Sequence, residues 1–293
     1  DLIIRPETNS ARTFHWFFFC VKINENKPPK NLIIKFNIIN LTKKTILFNN
    51  IIKVLTHFNN SWSRSTSNVY YYQNTLSENS YINQFQNAKN VITPRKIIDT
   101  LPKNNGNEDD DDGEKSFDEK DEPINFNSSQ VINTSQNMID FYTLTFSFDF
   151  SFVKPINGQR KVFFSYCFPY TYSHLNTYIN SLNIYQDYVR YEKIGYSLNG
   201  HLIVMLLISD FKDTPDNIEK KSCIFITGRV HPGESNSSYV VEGLIQFLVS
   251  ENEAAKKLRQ NYIFKIVPML NPDGVILGNF RMNYIGKDLN RMW

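Results

Sequence analysis

CIFITGRVHPGESNSSYVVEGLIQFLVS, residues 223–250, decides how the second half of this chain is read. CIFIT (223–227) is an apolar run of strand length, and SYVVEGLIQFLVS (238–250) has apolar residues at helical spacing. The loop GRVHPGESN (228–236) joins them, so the stretch is a strand that passes through a short loop into a helix. In open α/β sheets, sites form just past the carboxyl ends of strands. His231 and Glu234 lie at such an end, three positions apart, with Pro232 and Gly233 stiffening the turn between them. A catalytic zinc ion takes three protein groups, from His nitrogen and carboxylate oxygen, and keeps a position for water. His231 and Glu234 are candidates for two of the three. The competing reading is an ordinary loop histidine followed by a glutamate at a helix mouth, where a carboxylate is favoured anyway.

The flanking segments extend the same pattern. A helix is expected from Ser173, with Ser as N-cap and Leu175, Ile179 and Leu182 on one face. GYSLNGHLIVMLLIS (195–209) reads as a hairpin turning at Asn199–Gly200. Beyond the central helix, EAAKKLRQ (253–260) is a short helix leading into the strand YIFKIVPML (262–270). Strands alternating with helices predict an α/β layer over 171–293, with a mixed, mostly parallel sheet.

The first half is different. Residues 142–153, YTLTFSFDFSFV, alternate large apolar residues with Thr, Ser and Asp, the period of a half-buried strand. FHWFFFCV (14–21) is apolar on both faces, as a central strand would be, and LIIKFNII (32–39) and VYYYQN (69–74) are also β-prone. The expectation for residues 1–170 is an antiparallel β-sandwich. Within it, 103–137 buries almost nothing and is expected to be a disordered insert inside the domain.

Composition narrows the classes. Hydrophobic residues make up 41% of the 293, enough for a globular protein. Cys20, Cys167 and Cys223 are odd in number and form no CxxC, which argues against a disulfide framework and for a reducing compartment. No signal-peptide pattern is visible, and the longest apolar run, Leu202–Ile208, is far too short to span a membrane. Residues 107–122 carry ten acids and two bases, so the net charge of +3 leaves +11 on the rest. The Lys and Arg are scattered, with no nucleic-acid motif, and an acidic peptide suits such a surface as well as a nucleic acid does.

Three further motifs bear on the site. LNPDGVILGNFR (270–281) and DLNRMW (288–293) follow GRVHPGES (228–235) in order, and FFSYCFPYTYSHL (163–175) precedes them all. Together with WFFFCV and LTFSFDF, these resemble the M14 zinc carboxypeptidases, in particular their cytosolic, tubulin-deglutamylating branch. The resemblance implies an N-terminal β-sandwich followed by part of an α/β carboxypeptidase domain. It implies Zn2+ as cofactor, with His231 and Glu234 as ligands. Asp288 would orient the ligand histidine, Arg281 would steady the carbonyl oxygen as it gains charge, and Asn290 and Arg291 would hold the terminal carboxylate of the substrate. Implied partners are acidic C-terminal tails like those of tubulin, in a cytoplasmic, microtubule-associated setting, with no role for membrane or nucleic acid.

In that family the third zinc ligand and the catalytic glutamate lie well downstream of the DLNR segment. The expectation is therefore a fragment of a longer enzyme, inactive as it stands. His15, His57 and His201 are poorly placed to substitute. Two alternatives remain. One is a non-catalytic binder of acidic tails, and the other is an aspartoacylase-like amidohydrolase, which shares the HxxE pair and a DLNR-like segment.

Overall fold

The computed structural model describes residues 1–10, 14–24, 31–48, 51–74 and 140–292. The expected acidic insert at 103–137 lies outside the described residues. Among the described residues the first half contributes seven strands: β1 (Phe18–Ile23), β2 (Ile33–Leu41), β3 (Leu55–Phe58), β4 (Ser61–Ser63), β5 (Ser67–Gln73), β6 (Tyr142–Asp149) and β7 (Arg160–Ser165). They form two antiparallel sheets, in the orders β1-β7-β3-β4 and β2-β6-β5. One apolar cluster draws on both, with Phe36, Phe146 and Phe148 from the second sheet and Val162 and Phe164 from the first.

Two strand readings need correction. β6 alternates as expected, but it is the central strand between β2 and β5 and is buried on both faces, not one. Its polar residues are satisfied where they lie: Thr145 donates to Asn37 Oδ1 at 2.8 Å, and Thr143 accepts from Asn74. FHWFFFCV becomes a strand only from Phe18, and β1 is an edge of its sheet. Phe14 and Phe17 are buried nonetheless, packed from the segment leading into it.

The second half runs α1 (Tyr172–Ser181), β8 (Val189–Tyr196), β9 (Leu202–Ile208), α2 (Pro215–Lys220), β10 (Ser222–Thr227), α3 (Ser235–Val249), α4 (Glu253–Asn261), β11 (Tyr262–Val267), α5 (Pro272–Leu277) and a 3-10 turn at Leu289–Arg291. The N-cap of α1 is Thr171, whose side chain accepts from His174 N, and not Ser173. The sheet order is β10-β11-β9-β8. Only β10 and β11 pair in parallel, while β11–β9 and β9–β8 are antiparallel. Among the described residues the sheet is therefore mixed, and the expectation of a mostly parallel one fails. The sequence from 222 to 267 holds a single strand–helix–strand crossover, whereas the preceding hairpin can add only antiparallel neighbours.

The helix α3 covers this sheet through Val241, Ile245 and Leu248, spaced four and three apart as one helical face requires. Buried Arg259 of α4 donates to the carbonyls of Leu248 and Ser250, satisfying the end of α3. None of the described helices is long and apolar enough to cross a membrane.

Candidate active site

The parallel register sets Thr227 beside Val267, so β10 and β11 end at the same level. The loops that follow them are thereby forced into contact. Gly228 N donates to Val267 O at 2.8 Å, and Leu270 N returns a bond to Gly228 O at 2.9 Å. This brings the HPGE and NPDG motifs together. A Cβ on Gly274 would lie 2.3 Å from Pro232 Cγ, so nothing larger than glycine fits there. Gly233 is equally confined, its place for a Cβ being 2.4 Å from the Phe280 ring.

Arg229, buried and with φ of +54°, turns the chain out of β10. Left-handed backbone is costly for a residue with a Cβ, so the conformation must be held by its surroundings. Arg229 Nε donates to Pro232 O at 2.8 Å and its Nη1 to Ser238 Oγ at 2.9 Å, gripping the loop from inside. Burial lowers the guanidinium to about 10, and it remains charged at neutral pH. On the other side, Asn271 caps α5 by accepting from Gly274 N and donates to Val230 O.

His231 is buried at the centre of a chain of polar contacts. Its Nδ1 lies 3.1 Å from Glu234 Oε1, and its Nε2 lies 3.0 Å from Asp288 Oδ1. Asp288 Oδ2 accepts from Arg281 Nε at 2.7 Å, and Oδ1 also accepts from Asn290 N at 3.0 Å. Burial pushes the Asp288 carboxyl up, but the bonds from His231, the Asn290 amide and Arg281 outweigh it and hold the group below its usual range. All six residues singled out from the sequence are thus linked: Glu234, His231, Asp288 and Arg281 through their side chains, and Asn290 and Arg291 through backbone amides that donate to Asp288. Arg291 is solvent-exposed, and its Nη1 reaches only the Asn290 carbonyl.

The donor set suits a metal in part. With Asp288 accepting a hydrogen bond from Nε2–H, Nδ1 would be the ring nitrogen available to an ion held between His231 and Glu234. Two donors bound at about 2.1 Å to one tetrahedral ion stand ~3.4 Å apart, close to the 3.1 Å between Nδ1 and Oε1. Among the described residues, no group of three His, Cys, Asp or Glu side chains is placed to hold an ion. His201 is not grouped with His231 and Glu234 among the described residues, and its Nδ1 faces buried Asp273 at 2.7 Å. Asp273 also accepts from Ser197 Oγ and Asn199 N, locking the β8–β9 turn onto the NPDG segment.

Arg229, Asp273 and Glu7 were not among the residues singled out from the sequence. Asp273 carried a signal, as the one acid in the NPDG motif. Glu7 carried none, and its carboxylate accepts from the amides of Arg281 and Met282.

A family model described as zinc carboxypeptidase matches residues 175–293. Cytosolic carboxypeptidase 6 of Caenorhabditis elegans is 32% identical over 300 residues, covering 100% of this chain and 49% of that protein. The mouse cytosolic carboxypeptidase 6 is 33% identical, covering 100% of this chain and 42% of the relative. The chain therefore spans about half the length, or less, of these relatives. Among solved structures, a putative carboxypeptidase A from Shewanella denitrificans superposes with a TM-score of 0.59 at 20% identity, over 99% of this chain and 54% of the other. A metallo-carboxypeptidase from Burkholderia cenocepacia also gives 0.59, at 17% identity. At those identities the two structures establish the fold alone, which is that of the carboxypeptidases. Residues 175–293 thus match the M14 zinc carboxypeptidase family, and the chain along its whole length is similar to cytosolic carboxypeptidases.

Proposed function

We propose that this chain is part of a zinc-dependent carboxypeptidase that trims C-terminal residues, chiefly Glu, from acidic protein tails such as those of tubulin. The observation that carries the reading is the line of contacts from Glu234 through His231 and Asp288 to Arg281. It presents one imidazole nitrogen and one carboxylate toward the same point, with the second imidazole nitrogen fixed from behind. His231 and Glu234 would hold the zinc, and the remainder of the protein would supply the third ligand and the proton-accepting Glu. When bound, zinc would polarise the scissile carbonyl and bring the pKa of its water to about 7. Arg281 stands close enough to Asp288 for its guanidinium to be held in place, and it steadies the carbonyl oxygen as negative charge develops there. Arg291, with Asn290, takes the terminal carboxylate, for which the planar guanidinium fork is better suited than an ammonium.

In this reading residues 1–170 form a β-sandwich domain and 171–293 the first part of the peptidase domain. The +11 carried outside the acidic run suits an acidic tail. The names of the relatives support a cytosolic setting, and association with microtubules follows if tubulin is the substrate. Residues 1–293 alone are expected to be inactive.

The test uses the full-length protein and synthetic peptides ending in Glu, Lys or Phe, with released amino acids read by mass spectrometry. Glutamate release that stops on chelation and returns with zinc is the expected result. Tight peptide binding without release would replace the reading with a non-catalytic binder. Release only from an N-acyl amino acid would indicate the aspartoacylase-like amidohydrolase instead.

A further inference from the structure

We propose that Glu7 is a positioning residue for Arg281, so that the first half of the chain supplies part of the catalytic centre. This rests on the carboxypeptidase reading above. Arg281 lies in an irregular segment between the end of α5 at Leu277 and the 3-10 turn that begins at Leu289. A segment of that kind has backbone amides that no helix or strand satisfies, and buried amides need partners. Glu7 Oε2 accepts from Arg281 N at 3.0 Å and from Met282 N at 2.6 Å, so one carboxylate oxygen fixes the backbone on both sides of the arginine's Cα.

The neighbours of Glu7 grip the same segment. Arg5 donates to Leu277 O, Thr8 N and Oγ1 donate to Asn279 Oδ1 at 3.1 and 3.2 Å, and Asn9 Nδ2 donates to Tyr284 O at 2.8 Å. At Gly286 (φ +75°) an added Cβ would lie 2.3 Å from Asn9 O, so the two backbones touch. This strap is itself tied to the first half, where Asn40 of β2 bonds both Ile4 N and Ile4 O at 2.7 Å. From the held segment, contact reaches the HPGE loop twice: the Arg281 side chain bonds Asp288, which bonds His231, and Phe280 O accepts from Gly233 N at 2.7 Å.

The choice of residue supports a positioning role. Glu7 is buried, and its second oxygen, Oε1, has no hydrogen-bond partner among the described residues. A half-satisfied buried carboxylate is a poor way to gain stability, because desolvation opposes the bonds it makes. Burial accordingly raises the Glu7 carboxyl above its usual range, against the lowering by the amides. What the carboxylate does give is a strong, directed acceptor for two adjacent amides.

The experiment uses the full-length protein with Glu7→Ala, Glu7→Gln, Arg281→Ala and the Glu7→Ala/Arg281→Ala double variant, assayed on whichever peptide the wild type cleaves fastest. Misplacing a charged group by about an ångström costs up to ~100-fold in rate. We expect kcat to fall about 10- to 100-fold in Glu7→Ala with KM nearly unchanged. Glu7→Gln, which keeps an acceptor oxygen, should recover much of that loss. In the Arg281→Ala background Glu7→Ala should add less than about twofold, since the two act through one step. An equal loss in both backgrounds, or an unchanged kcat, overturns the proposal.

Amide hydrogen exchange gives a second, activity-independent reading. The amides of Arg281 and Met282 should exchange faster in Glu7→Ala while those of β9 and β11 keep their protection. Unaltered exchange at 281 and 282 also overturns it. If Glu7→Ala does not fold, the same two measurements are made on Glu7→Gln, with smaller shifts expected in the same direction. If the wild type cleaves no peptide, the peptidase reading falls by itself, and the exchange rates still decide whether Glu7 fixes this backbone.

Discussion

Phe146, Phe148, Phe150 and Phe164 are fully buried in the first half, and each ring lies against others, with Phe148 and Phe164 at 5.4 Å in an edge-on pair. Past the ends of β10 and β11 many of the buried side chains are of the opposite kind: Arg229, His231, Asn271 and Asp273. Neither region is open to water, but different terms hold them. Ring packing is non-directional, so losing one ring costs in proportion to area and to the cavity left. A buried polar group has to find its partner at the right angle, and an orphaned partner costs about 1–3 kcal/mol. The first region can therefore be varied in detail and still pack. The second has few tolerated substitutions, and a site that must hold an ion and a charged substrate needs that intolerance.

The comparison can be broken or sharpened by substitution in the full-length protein. The largest effect on stability is expected from Phe148→Ala, about 3–5 kcal/mol, seen as a lower denaturation midpoint with zinc affinity per folded molecule unchanged. A comparable loss of zinc affinity would show that the two regions are not separable. Gly274→Ala comes next. Its methyl would meet Pro232, the Met282 carbonyl and Asn271, and such overpacking costs about 1–3 kcal/mol, with zinc affinity falling alongside stability because the two motif loops are pushed apart. An unaffected zinc affinity would mean that their contact is incidental to the site. Asp288→Asn should cost the zinc-free protein about 1 kcal/mol, since it weakens the bonds to Arg281 and His231, and weaken zinc about 10- to 100-fold by calorimetry, as lost orienting partners of ligand histidines do. Full affinity in that variant would remove Asp288 from its orienting role.

The smallest effect concerns pH and lies where the two regions meet. His15 of the first half stacks on Phe280 of the Arg281 segment, with ring centroids 5.2 Å apart. Burial chiefly, and Lys43 secondarily, lower His15 to about 4 from its ordinary value of 6.5. Between those two values the unfolded chain takes up a proton that the folded chain refuses, so this contribution to stability is complete above about pH 6.5. It is lost progressively as the pH falls toward 4. His15→Phe keeps a ring against Phe280 and removes the proton site. Its midpoint should then decline less than that of the wild type from pH 7 to pH 4, and parallel declines would count against a buried neutral His15.

What could be read from the sequence follows the same division. The alternation in 142–153 located β6, and the apolar spacing in 238–250 located α3, because burial writes a period into the chain. The alternation could not say that β6 has neighbours on both sides, since Thr143, Thr145 and Ser147 look like an exposed face until Asn37 of β2 and Asn74 just past β5 bond two of them. His231, Glu234, Asp288 and Arg281 were legible because their spacing lies within short motifs that resemble a known family. Arg229 gave no sign of its left-handed backbone, a conformation set by Pro232 and Ser238 around it. Glu7 could not have been found at all, for it has no motif, and its partners lie 274 and 275 positions away. Parallel pairing was over-read for a similar reason: the helix–strand rhythm does not reveal that the hairpin strand β9 would dock beside β11.

That separation has a consequence for how the molecule is made. Residues 5–9 leave the ribosome long before their partners on the Arg281 segment, which come some 270 residues later. Joining points so far apart along an otherwise free chain costs ~5 kcal/mol in closure entropy, and contacts of such separation belong to slow steps of folding. The sheets of both halves shorten the effective loop as they form, and so they have to come first. The arginine is thus set in place by residues 5–9 only after the rest of the scaffold stands, which makes completion of the centre a late report that both halves have folded.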